Sequence, residues 1–338
     1  MRAFVITGPG VGAVADVPEP VAAPGQVVVE VDRVGVCGTD MEFYRGDMAY
    51  LVSGDATFPM RIGHEWCGRV ISVGSDRDAS WIGRRVTGDT MLGCHECARC
   101  LDGRQHLCES RYEIGIRHGW AGALAERLTV PASSLVALPQ DMDPVLGALV
   151  EPGGNALRSV RGANLRPGDS LLVIGAGTIG LLVALIAQAK GADVHIVGRS
   201  ERSLDFARSV GFTHTCTLDE LDRTHAFRAV VDASTSKGSP AIAVDIVEPG
   251  GRVVLVGIAV EPSLIDTRDL VLTDVTVVGV LSGSGGFEET VELFATGAVN
   301  PRPLVAATVG LDATAAILAG ERPAGAGPGP KFHIDPRR

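Results

Sequence analysis

Two regimes of hydrophobic patterning divide the chain. Up to about residue 148, short β-like runs at residues 3–6, 26–34, 69–73, 85–88 and 125–130 are broken by Gly and Pro. Runs of that length between turn-forming residues predict the strands of a small β-barrel-like domain. After Pro152 the pattern changes. Apolar runs at 170–174, 194–197, 229–231 and 252–256 alternate with helical stretches, which predicts an α/β domain with a doubly wound parallel sheet. From about residue 300 the chain becomes rich in Pro and Gly and closes on a short strand at 331–334. The parallel sheet is complete without this tail, so the tail is expected to return to the first domain.

One stretch, 171–187, is apolar or small apart from Thr178 and imitates a membrane span. Gly175, Gly177 and Gly180 interrupt it, and a strand covered on both faces followed by a packed helix produces the same hydrophobicity. The stretch is therefore read as a buried strand, the turn Gly175-Ala176-Gly177-Thr178-Ile179-Gly180, and a helix running to Lys190. A GxGxxG turn in that setting lets the backbone approach a pyrophosphate, which then lies at the positive end of the helix dipole. Gly257 is placed in the same cofactor-binding set.

About twenty residues further on, NAD enzymes place Asp or Glu against the ribose 2′-hydroxyl. Here the segment reads Gly198-Arg199-Ser200-Glu201-Arg202. Two guanidinium groups and a hydroxyl suit a 2′-phosphate, because Arg forms paired, charge-assisted bonds to phosphate. NADP is favoured over NAD; the alternative is that Glu201 takes the ribose and both arginines are solvated.

Composition sets further bounds. A chain of 338 residues exceeds what one core serves, so two domains are expected. With 46% apolar and 21% charged residues it folds as a compact protein. A formal charge of −10 argues against nucleic acid as a partner. Residues 1–9 carry one positive charge and too short an apolar run for a signal peptide, so a cytoplasmic location without membrane attachment is expected. In that reducing compartment seven cysteines would not form a disulfide scaffold.

Their spacing says more than their number. Cys94, Cys97 and Cys100 are each separated by two residues, and Cys108 closes the set after seven more. Four thiolates in one short loop suit tetrahedral zinc with no open position, hence a structural ion. A ferredoxin-type cluster would place its fourth Cys after three residues and before Pro. Here Glu109 follows.

A second constellation joins Gly35-Val36-Cys37-Gly38-Thr39-Asp40 with Gly63-His64-Glu65. With the motifs above, the sequence resembles the zinc-dependent medium-chain dehydrogenase/reductase superfamily over nearly its whole length. The resemblance implies a GroES-like catalytic domain over 1–148 with a structural-zinc lobe at about 92–110. It further implies a Rossmann NAD(P)-binding domain over 149–299 and a segment, 300–338, that returns to the catalytic domain. Cys37 and His64 would then be ligands of a catalytic zinc, giving two zinc ions per chain. For the third ligand, Cys67 and Cys216 are unconvincing. Glu65 and Glu151 both remain open, since Glu151-Pro152 matches the Glu-Pro motif of the polyol and glucose dehydrogenase branch.

Thr39 resembles the family's hydroxyl relay for the alcohol proton, and Glu42 stands where relatives often have the next relay residue, His. The Glu-Pro motif continues as Gly153-Gly154-Asn155, less bulky than is common in relatives. Residues 112–116, with Glu113, resemble a sugar-contacting segment of glucose dehydrogenases. Glu42, Glu113 and Asn155 therefore hint at a polyhydroxy substrate, while Phe43, Tyr44, Met48, Tyr50 and Trp120 pull towards an apolar ketone. The expected activity is zinc-dependent hydride transfer between NADP(H) and a secondary alcohol, polyol or sugar, or the matching ketone. Relatives imply a homodimer or homotetramer. Two alternatives are a zinc-free quinone or enoyl reductase, which would lack the ligands and the lobe, and a nucleotide-binding protein that has lost its chemistry.

Overall fold

The computed structural model describes residues 1–338. They divide into one unit of Met1–Glu151, Phe287–Ala295 and Leu304–Arg338, and a second of Pro152–Gly286 and Thr296–Pro303.

The first unit is organised around the ten-residue strand Gln26–Gly35, in which Val27, Val28, Val29, Val31 and Val34 are all buried. Irregularities between Val28 and Val29 and between Val31 and Arg33 bend it. It pairs antiparallel with Glu65–Val73, Arg127–Pro131 and Lys331–Asp335. Arg85–Gly88 and Leu135–Ala137 extend the sheet on one side, and Val305–Gly310 pairs with Lys331–Asp335 on the other. The end of the chain thus supplies a strand next to Gln26–Gly35, with His333 opposite Gly35 and Ile334 opposite Val34. Arg2–Gly8 and Val11–Asp16 form a separate hairpin. Phe43 lies inside the core of this unit, and Tyr44, Met48, Tyr50 and Trp120 pack against it. Packing accounts for these five side chains.

The second unit holds six strands, all parallel, in the spatial order His214–Cys216, Asp193–Val197, Ser170–Ile174, Phe227–Asp232, Val247–Leu255, Thr276–Gly279. The chain starts in the middle, winds to one edge, then returns and winds to the other, which is the doubly wound order expected from the pattern. The apolar stretch resolves into Ser170–Ile174 and a 12-residue helix, Thr178–Ala189, with Lys190 at its cap. No helix of the protein is long and apolar enough to cross a membrane. The periodicity did not predict the edge strands His214–Cys216 and Thr276–Gly279, which are short and contain no buried residue. Val247–Leu255 also begins earlier than expected, through a register shift opposite Phe227 and Ala229.

Candidate metal and dinucleotide sites

The strands Met91–Leu92 and Tyr112–Glu113 pair antiparallel and pinch off a lobe. Within it the sulfurs of Cys94, Cys97, Cys100 and Cys108 all lie within 4.8 Å of one another. Cys97 starts the short helix Ala98–Leu101, and its N–H donates to Cys94 Sγ at 3.4 Å. A β-carbon on Gly93 would stand 2.5 Å from Cys100 Sγ, so the chain enters the lobe on the one residue that leaves room. The N–H groups of Glu96 and Cys97 lower the Cys94 thiol to about 6. Desolvation pushes Cys100 up to about 12. Four soft sulfur donors gathered in one lobe fit a closed zinc site, and none of the seven cysteines is in a disulfide.

The second cluster is built from two motifs held by one carboxylate. Cys37 caps the helix Gly38–Arg45, and Asp40 in its first turn is fully buried. Asp40 Oδ2 accepts from the Cys37 N–H at 2.9 Å, and Oδ1 accepts from the Gly63 N–H at 3.2 Å. Asp40 Oδ1 also lies 3.5 Å from His64 Nδ1. A carboxylate on the far nitrogen of a histidine fixes its tautomer and its aim, as around many metal sites. Asp40 was legible only as part of the CGTD motif, without a role.

Glu65 opens the strand Glu65–Val73 and is buried opposite Gly35, where a β-carbon would stand 2.1 Å from Glu65 Oε2. Both of its oxygens accept from Lys331 Nζ, at 2.7 and 2.8 Å, and Lys331 donates also to the Val36 carbonyl at 2.9 Å. Lys331 is buried on the returning strand, and no local pattern marks it. Donor atoms of Cys37, His64 and Glu65 all lie within 4.8 Å of one another.

Glu151 is buried on the helix Pro144–Ala163 and is not one of those three. Desolvation, with the Glu65 charge beside it, pushes its carboxyl up to about 7 despite His64 and Lys331. Burial works against charging His64, yet the charges of Asp40 and Cys37 raise it well above the usual imidazole range. Acidic groups thus outnumber Lys331 and His64 in a dry pocket. A thiolate, an imidazole and a carboxylate in that setting fit a divalent zinc ion. The remaining cysteines are elsewhere. Cys67 is buried and donates to the Pro144 carbonyl at 3.2 Å, and Cys216 is half-buried on an edge strand.

The other candidates are placed variously. Thr39 and Glu42 are half-buried one turn apart on the helix Gly38–Arg45, and burial raises the Glu42 carboxyl. Glu113 is buried, with its Oε1 accepting from Arg111 Nε at 2.8 Å and from the Tyr50 hydroxyl at 3.3 Å. That carboxylate is committed to its neighbours. Asn155 belongs to the second unit, its backbone carbonyl accepting from Ser159 Oγ at 2.9 Å.

In the second unit the three motif glycines have distinct reasons. Gly175 has φ 113°, a left-handed turn suited to Gly. A β-carbon on Gly180 would stand 1.8 Å from the Gly175 carbonyl oxygen, so helix and strand pack only without one. Gly177 has open space before it and caps the helix Thr178–Ala189 with no side chain, leaving the first N–H groups, from Thr178 and Ile179 onward, to a ligand. Gly257 follows the strand Val247–Leu255, and a β-carbon there would meet the Ser234 carbonyl oxygen at 1.8 Å. After the strand Asp193–Val197, Arg199 and Arg202 are exposed. Ser200 caps the helix Glu201–Ser209, and Glu201 pairs with Arg208 at 3.1 Å.

Two family descriptions match the chain. The alcohol dehydrogenase GroES-like domain covers residues 23–140, and the zinc-binding dehydrogenase domain covers 178–296. An L-threonine 3-dehydrogenase of Sinorhizobium fredii is 30% identical over 326 residues, covering 93% of either chain. An L-threonine 3-dehydrogenase of Streptomyces coelicolor is 34% identical over 278 residues, 79% of either chain. A zinc-binding dehydrogenase of Sinorhizobium meliloti 1021, named only to that class and solved with NADP bound, superposes with a TM-score of 0.89 at 27% identity over 99% of both chains. The chain therefore belongs to the zinc-dependent medium-chain dehydrogenase/reductase superfamily, whose members combine a GroES-like domain with a Rossmann domain.

Proposed function

We propose that the protein transfers a hydride between NADP(H) and a secondary alcohol, polyol or sugar, or the corresponding ketone. The observation that carries this reading is the group of half-buried Cys37 with buried His64 and Glu65, its donor atoms within 4.8 Å of one another. Bound zinc would supply Lewis-acid polarisation of an alcohol or carbonyl oxygen, and a bound nicotinamide would supply or accept the hydride.

The chain's own residues prepare that chemistry. Asp40 sets Cys37 and His64 in place, and Lys331 orients Glu65 by donating to both of its carboxylate oxygens. Glu65 is the third donor on this reading. Glu151, near neutral in its preferred ionisation, is the second carboxylate that can approach and exchange with water. The Thr39 hydroxyl passes the alcohol proton outward, with Glu42 one turn away as its acceptor. The four cysteines of the lobe hold a second, structural zinc. Catalysis is assigned to residues 1–148 with the tail 300–338, and nucleotide binding to 149–299.

NADP is supported by Arg199 and Arg202, which are exposed and make no ion pair, while Glu201 is engaged by Arg208. The NADP held by the Sinorhizobium meliloti dehydrogenase supports it too. L-Threonine, oxidised by the relatives at a secondary alcohol, supports the substrate class. Unpaired cysteines suit a reducing cytoplasm, and a homodimer is the proposed assembly. A zinc-free reductase of this fold would have no use for either donor set.

The test is a panel of amino-acid, polyol, sugar and simple secondary alcohols, each with NADP and NAD. NADP turnover with at least one secondary alcohol is expected. Replacing Arg199 and Arg202 together with Ala should raise the KM for NADP about 10- to 100-fold and leave that for NAD nearly unchanged. Better turnover of NAD than NADP by the wild type would overturn the cofactor assignment.

A further inference from the structure

A second group of metal-type donors lies in the nucleotide-binding unit, far from both zinc sites in sequence. Asp193 and His195 occupy alternate positions of the strand Asp193–Val197, so their side chains share one face. His214 begins the neighbouring edge strand, and the parallel register sets it directly beside His195. The His195 and His214 rings stack with centroids 4.4 Å apart, and His195 Nε2 lies 3.4 Å from Asp193 Oδ2. One donor atom from each of Asp193, His195 and His214 lies within 4.8 Å of the others. A third ring, His225, is 5.5 Å from that of His195, and Phe227 packs edge-on against both. Three of the chain's eight histidines therefore gather at one corner of the sheet.

Neither of the described sites uses these residues. All the strands run in parallel; Asp193 begins its strand and His195, beside His214, is the middle residue, while the GxGxxG turn and Arg199 follow the opposite ends of the strands. At about 3.3 Å per residue, His195 and His214 stand about 7 Å, and Asp193 about 13 Å, before the end that Arg199 follows. The donors are half-buried or exposed and reachable from water.

We propose that Asp193, His195 and His214 bind a divalent first-row transition-metal ion, with His225 as the nearest further donor. Two imidazoles and a carboxylate suit Zn²⁺, Ni²⁺ or Cu²⁺ and not the hard ions Mg²⁺ or Ca²⁺. Metal–ligand bonds of about 2.0–2.1 Å require tetrahedral donors about 3.3 Å apart, so the two imidazoles must turn out of their stack to aim a nitrogen each at the ion, a rotation open to half-buried and exposed side chains. The ion would tie the edge strand His214–Cys216, three residues long and paired on one side only, to its neighbour. It would thereby clamp a weakly held corner of the nucleotide-binding sheet.

Nickel chloride titrated calorimetrically into the zinc-loaded enzyme tests this. One further equivalent should bind to the wild type and none to the His195→Gln/His214→Gln variant. Asp193→Asn, a milder change, should weaken binding at least about tenfold. Saturating nickel should also raise the thermal midpoint of the wild type and not that of the double variant. Hydride-transfer activity and circular dichroism of both variants should match wild type, which separates lost binding from lost folding. No saturable nickel binding by the wild type, undiminished binding by the double variant, or uptake matched by released zinc would each overturn the assignment.

Discussion

Lys331 and Glu65 are separated by most of the sequence yet joined by a hydrogen bond, with Nζ 2.7 Å from Oε1. Both are buried, at 4% and 1% exposure, so removing one partner strands the other's charge in a dry pocket. Lys331→Met should therefore cost about 3–5 kcal/mol, read as a lowered denaturant midpoint. Adding Glu65→Gln should restore much of it, and a midpoint unchanged by Lys331→Met would show that the pair holds nothing. The same pair marks the limit of what is legible residue by residue. The four lobe cysteines stood out because their spacing lies within one short segment, and Cys37 and His64 because their CGTD and GHE motifs carry the family resemblance. Lys331 did not, because its partner is contributed by a distant strand. Nor did Glu113, whose likeness to a sugar-binding residue gave no sign of its engagement by Arg111 and Tyr50.

Among the elements, those covered on both faces were readable and those at edges were not. Ser170–Ile174 is buried at four of five positions and announces itself as an apolar run, whereas Thr276–Gly279 has no fully buried residue. The lobe was readable for another reason: its cysteine spacing carries the information that a hydrophobic core carries elsewhere. Its pH dependence follows from the element's own electrostatics. Backbone N–H groups lower Cys94 from the ordinary thiol value near 9.0 to about 6, so the folded lobe favours its thiolate above that pH. The contribution is lost as pH falls through about 6, where protons compete with metal for the sulfur. Zinc content measured after dialysis across pH 8 to 4 should therefore fall with pH from about two ions per chain, the lobe's ion leaving as protons displace it from the four sulfurs. Retention of the full content at pH 4 would contradict the lobe's role.

For the molecule as a whole, pattern and composition gave the two-part architecture, since a switch from β-runs to alternating strands and helices survives any error at single residues. Assembly was not legible, because it depends on which apolar side chains the fold leaves outside. Val260, Leu264, Val271 and Leu272 are 98%, 89%, 79% and 82% exposed, and the edge strand Thr276–Gly279 has a neighbour on one side only. An apolar, unpaired edge invites a second copy to extend the sheet. Light scattering should give twice the chain mass, and Val277→Lys on that edge should reduce it to one. A wild-type protein that runs as a monomer would remove this surface from the assembly. Metal-centred chemistry in the first unit turns on Cys37. Cys37→Ser, assayed for NADP reduction with the best alcohol of the panel, should lose turnover while NADP binding stays within about twofold of wild type. Turnover retained by that variant would contradict the zinc-dependent mechanism.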